Sequence, residues 1–345
     1  MITVSVCMIV KDEEKVLARC LESLAGIADE TVVADTGSSD GTKAAAARYG
    51  AKLYDFPWNG DFSAARNFAF SKATMEYVYS ADADEVLDAE NRRKFLLLKQ
   101  SLSPDAEIVQ MRYANQLQYN TTYNFNTELR PKLFRRLRTF RWVDPVHETV
   151  ELNPRVVDSD ITILHLPQSL HSPRDFSLLR RAAAGGRLSA RLVRMYAKEL
   201  FIGGGDSDFL EAYPVFEPIL HDESRSLDEV RAAQCVVVRA ARLKGDAAAM
   251  FKAALKNVIA RPCAEVCCDL GAWYAAAGDW EEAATWYCTA SSGAQSELDI
   301  RTGGVMPLLG LAACYEKLGM PAEAASCRRR AAEAGRVPAE VPPGS

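Results

Sequence analysis

Three acidic residues within four positions, Asp82, Asp84 and Glu85, follow the apolar run Tyr77-Val-Tyr-Ser80. Carboxylates at this spacing suit a hard divalent cation, because Mg2+ or Mn2+ takes one or two of them and completes its shell with phosphate oxygens and water. Two carboxylates two positions apart on extended backbone point the same way, so Asp82 and Asp84 are expected to face one ligand. A solvated turn or an acidic helix N-terminus would explain the same triplet, so its surroundings have to decide. Those surroundings include Val10-Lys-Asp12, Asp35-Thr-Gly-Ser-Ser-Asp-Gly-Thr42 and Asp61-Phe-Ser-Ala-Ala-Arg-Asn67. A second cluster comprises Arg130-Pro-Lys-Leu-Phe-Arg135, Trp142-Val-Asp-Pro-Val-His-Glu148 and His165, with histidines close to acids.

The elements that must position these residues are legible from periodicity. Thr3 to Val10 is a nearly continuous apolar run, suited to a strand covered on both faces, and a helix follows through Leu17, Leu21 and Leu24. Glu30 to Ala34 reads as a second strand, ending at the glycine-containing turn 35–42, with a helix over Lys43 to Tyr49 and a third strand over Ala51 to Phe56. This βαβαβ order predicts a right-handed, doubly wound parallel sheet, and the acidic cluster then falls at the carboxyl end of a strand, where such sheets bind ligands. The loops after the first two strands share that edge. Ala106 to Tyr113, Leu133 to Phe140, Thr149 to Leu152 and Ile161 to Leu164 read as further strands that complete a mixed sheet and shape an acceptor cleft.

Beyond Pro173 the pattern becomes helical, with turns at Gly203-Gly-Gly205, Gly245, Gly278 and Gly319. Gly204 to Gly245 and Gly278 to Gly319 are each 41 residues apart, which signals repetition. Leu270-Gly-Ala-Trp-Tyr-Ala-Ala-Ala-Gly-Asp-Trp-Glu-Glu-Ala283 looks like a tetratricopeptide repeat; an ordinary α-helical domain is the alternative. The expected domains are 1–172 and 173–335, with 336–345 a flexible tail.

A net charge of -5 gives no basic footprint for a phosphate backbone, so nucleic acid is not expected as a partner. Apolar runs are short and Met1 to Val10 leads straight into charge, so neither a signal peptide nor a membrane span is expected. Nine scattered cysteines fit reduced, buried thiols in a cytoplasmic protein. A zinc site at Cys263, Cys267 and Cys268 is the sharper alternative, but it lacks a two-residue-spaced pair and a fourth ligand nearby.

Together, Met8-Ile-Val-Lys-Asp-Glu-Glu14, the turn 35–42, the segment 61–67 and Ala81-Asp-Ala-Asp-Glu85 resemble family 2 glycosyltransferases, in order and in spacing. Within that family the chain is similar to the SunS-type soluble bacterial branch, which joins such a domain to tetratricopeptide repeats. The resemblance covers Ile2 to Pro167 strongly and the helical part loosely. It implies a GT-A (Rossmann-like) nucleotide-sugar-binding domain with a mixed sheet, followed by an all-α tetratricopeptide-like domain. It also implies an inverting transfer of a hexose or N-acetylhexosamine from a UDP-sugar, with Mn2+ or Mg2+, to a peptide, protein or glycan acceptor.

Carried over by position, Val10 and Lys11 would flank the base, and Asp35 would bond the uracil or ribose from a turn that includes Gly37 and Ser38. Arg66 would reach the nucleotide or its phosphates. Asp82 would approach the ribose or the cation's outer shell, with Ala83 between it and Asp84, the last acid of the DXD motif and the cation ligand. Asp12 replaces the asparagine common in the family, which puts its contacts in doubt. Arg130, Lys132 and Arg135 are candidates for the diphosphate, with a solvated basic face as the alternative. An inverting transfer needs a general base on the acceptor. Glu148 is the first choice, with Asp144 behind it and His147 also in the catalytic set. His165 is the expected second cation ligand and His147 its rival; a core histidine in the apolar run 161–166 is the other reading of His165. The repeats are expected to dimerise the protein or to hold a polypeptide acceptor. Two alternatives stand beside this reading: a nucleotidyltransferase, whose glycine-rich basic loop is missing after the first strand, and a helical-repeat scaffold with a vestigial nucleotide-sugar domain.

Overall fold

The computed structural model describes residues 1–103, 105–114, 128–136, 142–143, 149–150, 155–166 and 172–335. The chain divides into two compact units, Met1–His171 and Ser172–Ser345.

In the first unit, β1 (Val4–Val10), β2 (Glu30–Asp35), β3 (Lys52–Asp55) and β4 (Tyr77–Ser80) run parallel, with α1 (Glu14–Ser23), α2 (Thr42–Arg48) and α3 (Phe62–Ser71) between them. The two faces of β1 explain its unbroken hydrophobicity. Val4, Val6, Met8 and Val10 join Leu17 and Leu21 of α1 and Phe95 of α4 (Ala89–Ser101), whereas Cys7 packs with Ala69 of α3. β5 (Glu85–Val86), β6 (Ile108–Ala114), β7 (Glu128–Arg135) and β10 (Val156–His165) complete an eight-stranded mixed sheet in the order β3-β2-β1-β4-β7-β6-β10-β5. β8 (Trp142–Val143) and β9 (Thr149–Val150) pair antiparallel as a separate two-stranded sheet.

Two strands differ from the sequence expectation. β7 starts at Glu128 and ends at Arg135, rather than running from Leu133 to Phe140. Pro131 reads as a breaker, yet it sits where the register with β6 shifts, and there its missing N–H costs no regular ladder bond. β10 begins at Val156, five residues before the apolar run, because its mostly exposed first half pairs with β6 through Val156 to Asp158.

Glu30, at the start of β2, ties the bottom of the sheet together. Its carboxylate is buried and accepts from Ser5 Oγ at 2.5 Å, Thr74 N at 2.8 Å and Lys52 Nζ at 2.6 Å. Burial raises its pKa, but Lys52 and the hydrogen bonds outweigh that and bring it from 4.5 down to about 2. A carboxylate depressed on folding stabilises the fold above its unfolded pKa and loses that contribution as pH falls through the folded one. Glu30→Gln is therefore expected to cost about 2–3 kcal/mol at pH 7. The cost should shrink between about pH 4.5 and pH 2, as read by urea unfolding at several pH values; a pH-independent cost would contradict the assignment.

The second unit is helical throughout its described residues. α5 (Ser172–Ala184), α6 (Ala190–Gly203), α7 (Asp206–Phe216) and α8 (Leu227–Lys244) are followed by α9 (Ala247–Ala260), α10 (Ala264–Ala276), α11 (Trp280–Ser292), α12 (Val305–Lys317) and α13 (Pro321–Ala334). The turns foreseen at Gly245, Gly278 and Gly319 join α8 to α9, α10 to α11 and α12 to α13. Each of these glycines has positive φ, between 72° and 83°, which a residue with a Cβ adopts only with strain. The hairpins stack tightly through Tyr287 of α11. A Cβ added at Gly271 or Gly310 would come within 2.9 Å or 2.7 Å of its ring, so α10 and α12 both approach α11 through a glycine.

Candidate active site

Parallel pairing gathers the carboxyl ends of β1 to β4 on one edge, with Val10 opposite Asp35, Asp35 opposite Asp55 and Cys7 opposite Ser80. The loops leaving those ends build the site.

Asp35 closes β2 and is almost fully buried. Its Oδ1 accepts from the backbone N–H groups of Gly37 and Ser38, each at 2.9 Å, and Lys43 Nζ lies 3.6 Å away. The turn is tight because Gly37 takes φ 107°. Burial raises the Asp35 pKa, but the bonds from Ser38 and Gly37 and the charge of Lys43 outweigh it, so the side chain stays ionised. Its Oδ2 is buried without a hydrogen-bond partner among the described residues. A buried, ionised oxygen lacking a donor at a ligand-binding edge is set to receive an N–H or O–H from a bound molecule.

Asp12, expected in the nucleotide site, joins the loops after β1 and β2. With φ 55° it donates its own N–H to Ser38 Oγ at 2.9 Å, while its carboxylate accepts from Ser39 N at 2.7 Å. The side chains of Asp12 and Ser38 thus bind the first two loops to each other. Val10 is buried at the end of β1 and Lys11 is exposed beside it.

α3 delivers the first cation of the site. Asp61 caps the helix by accepting from Ala64 N at 3.1 Å, which fixes the direction of Arg66 one turn later. Arg66 is buried and donates to Ser80 Oγ at 2.8 Å and to Asp82 Oδ1 at 3.0 Å.

The acidic segment is a turn, closed by Glu85 N donating to Asp82 O at 3.1 Å, and this corrects the extended geometry expected from the sequence. The two carboxylates consequently have different partners. Asp82 faces Arg66, and its pKa falls well below the carboxylate range because Arg66 and then Lys132 outweigh its burial. Asp84 Oδ2 lies 3.1 Å from His165 Nε2, across 81 residues of sequence. β5 makes this meeting: it pairs antiparallel with the end of β10, placing His165 opposite Glu85. The imidazole also packs on Tyr113, with ring centroids 5.2 Å apart and planes inclined by 34°. His165 is thus set toward the acids rather than filling the core.

The basic candidates separate. Arg130 stacks 4.0 Å from the Tyr113 ring centre and bonds Glu128 at 2.5 Å, on the half of β7 that reaches the acid turn. Lys132 is buried under that turn, paired with Glu85 and donating to Ser80 O at 3.2 Å. Arg135 pairs with Tyr77, the first residue of β4, so it lies at the opposite end of the sheet; this overturns its assignment to the diphosphate. The antiparallel direction of β7 is the reason, since residues later in this strand move away from the ligand edge. Glu148, Asp144 and His147 lie outside the described residues. Sequence reasoning missed Lys132 as a buried partner of the acids, and also Tyr113 and Cys20, whose thiol donates to Asp82 O at 3.3 Å. The signal available was the run of three acids, whose charge at a buried strand end calls for basic partners.

In the helical unit, Cys263, Cys267 and Cys268 do not form a metal-binding set among the described residues. Cys263 Sγ accepts from Arg231 at 3.0 Å and Asn257 at 2.9 Å, and the Cys268 thiol donates to Thr302 O at 3.3 Å. All nine cysteines are free thiols and eight are buried. No helix among the described residues is long and apolar enough to cross a membrane.

Residues 5–151 match the model of Glycosyl transferase family 2. The TPR repeat-containing protein Synpcc7942_0270 of Synechococcus elongatus is 38% identical over 153 residues, 44% of this chain and 36% of the relative. The SPbeta prophage-derived glycosyltransferase SunS of Bacillus subtilis is 34% identical over 100 residues, 27% of this chain and 22% of SunS. The chain therefore spans well under half of either relative. Among solved structures, glucosyl-3-phosphoglycerate synthase from Mycobacterium tuberculosis, in complex with Mn2+, UDP and glucosyl-3-phosphoglycerate, aligns with 53% of this chain and 79% of its own at 13% identity and a TM-score of 0.38. The matched segment, its motifs and the mixed sheet agree: residues 5–151 form a family 2 glycosyltransferase domain of the GT-A, Rossmann-like class.

Proposed function

We propose that the chain transfers a hexose or N-acetylhexosamine from a UDP-sugar to a peptide, protein or glycan nucleophile, in one displacement with inversion and with Mn2+ or Mg2+. The convergence of Asp84 and His165 at 3.1 Å, beside the Arg66–Asp82 pair and on the same sheet edge as Asp35, carries this reading.

The donor set fits a divalent cation. Two adjacent ligands of an octahedral ion at about 2.1 Å each are about 3 Å apart, and one carboxylate plus one imidazole leaves positions for phosphate oxygens and water. Charge balance agrees. The turn gathers three carboxylates, Asp82, Asp84 and Glu85, with Arg66 paired to Asp82, Lys132 to Glu85 and the His165 imidazole to Asp84, so an added cation at Asp84 is favoured. Bound there, the cation would neutralise charge developing on the leaving diphosphate.

The chain's own residues do the rest. Asp35 accepts from the base or ribose through Oδ2. Arg66 fixes Asp82 and lends positive charge to the nucleotide side. Glu148, with Asp144 and His147 as rivals, removes the acceptor's proton as the new bond forms on the face opposite the diphosphate. The stacked hairpins, read as tetratricopeptide-like, hold a polypeptide acceptor or a second copy of the chain.

Mass spectrometry of products from a panel of nucleotide sugars with Mn2+ and cell lysate tests the reading. A sugar-sized mass increment on an acceptor, with inverted anomeric configuration by NMR, is expected. Retention of configuration would overturn the single displacement, and no transfer from any donor would sink the reading and favour the scaffold.

A further inference from the structure

Lys132 occupies an unusual place for a charged side chain. It is about 5% exposed, and an ammonium in such a site costs several kcal/mol unless it is paired. Its partner is the Glu85 carboxylate, also buried, and a second hydrogen bond goes to Ser80 O at 3.2 Å. Asp82 Oδ2 is 3.8 Å from Nζ, beyond hydrogen-bond range. The ammonium is therefore directed into the base of the acid turn.

Glu85 is the joint through which this acts. One carboxylate oxygen takes Lys132 and the other accepts the backbone N–H of Asp82 at 3.2 Å. Its backbone N–H closes the turn onto Asp82 O, and in the sheet it sits opposite His165. Displacing Glu85 would move Asp84, its chain neighbour, and would loosen the two-residue strand that brings His165 alongside.

We infer that Lys132 is a positioning residue: paired with Glu85, it holds the Asp82–Asp84 turn in the shape that sets Asp84 against His165. This inference rests on the reading of that pair as the cation ligands. Lys132 is directed at Glu85 and Ser80 O and acts through Glu85. Partners behind metal ligands typically change metal affinity by 10–100-fold when removed. Removing one member of a buried ion pair strands the other, whereas removing both is close to neutral.

The test compares Mn2+ binding, read from the paramagnetic resonance of free Mn2+ with UDP present, in the wild type, Lys132→Met and Lys132→Met/Glu85→Gln. Far-UV circular dichroism and Tm are measured on each. Lys132→Met is expected to weaken Mn2+ by about 10–100-fold. The double variant should recover to within a few-fold of wild type, and it keeps the test alive if the single variant folds poorly. Wild-type Mn2+ affinity in a folded Lys132→Met would overturn the inference, as would a double variant with affinity as weak as a folded single variant or far below wild type. A wild type that takes up no Mn2+ would overturn the cation reading and this inference together.

Discussion

Asp84→Asn is expected to lower kcat/KM by about a thousandfold and to weaken Mn2+ binding at least about a hundredfold, while leaving the fold as stable as the wild type or slightly more so. The exchange keeps the shape of the side chain and removes one anionic oxygen from the pair at 3.1 Å from His165. A purely structural Asp84–His165 contact would behave differently, because its loss would lower Tm. In the ion-free protein Asp84 adds a third carboxylate to a turn that already holds Asp82 and a buried Glu85, and their mutual repulsion helps to raise the Glu85 pKa to about 7, burial being the larger cause. Relieving that repulsion offsets the lost contact. Thermal unfolding in chelator, set beside steady-state kinetics with Mn2+, checks both halves; a clear drop in Tm with activity retained would contradict the assignment.

Glu148→Gln is expected to reduce kcat by about 10²–10⁴-fold while leaving UDP and Mn2+ affinity within a few-fold of wild type. The amide keeps the size of the carboxylate and cannot take the acceptor's proton. Loss of kcat with preserved donor binding separates a base from a donor ligand, and Asp84→Asn should show the opposite split. Asp144→Asn and an alanine at His147 are the controls. If either of them, and not Glu148→Gln, abolishes turnover, the base is reassigned to that residue.

Much of the donor half was legible in the sequence because each of its parts is local. An unbroken apolar run makes β1, a glycine with positive φ makes the turn after Asp35, and an aspartate cap aims Arg66. Direction and register were harder to read. Arg130, Lys132 and Arg135 look alike in sequence, yet β7 carries them from the ligand edge, through the buried base of the turn, to the far end of the sheet. The divergence of Asp82 and Asp84 comes from a turn held by bonds to residues distant in sequence, and β5, at two residues, has no periodicity to detect. The cysteines read as buried free thiols, but sulfur spacing cannot reveal Arg231 and Asn257 as the donors around Cys263.

Crystals grown with UDP and Mn2+, with diffraction measured at the manganese absorption edge, would locate the cation directly. One anomalous peak within about 2–2.3 Å of both Asp84 Oδ2 and His165 Nε2, and touching UDP phosphate oxygens, is the expected result. UDP bound with the Asp84–His165 hydrogen bond still closed and the manganese elsewhere, or absent, would contradict it.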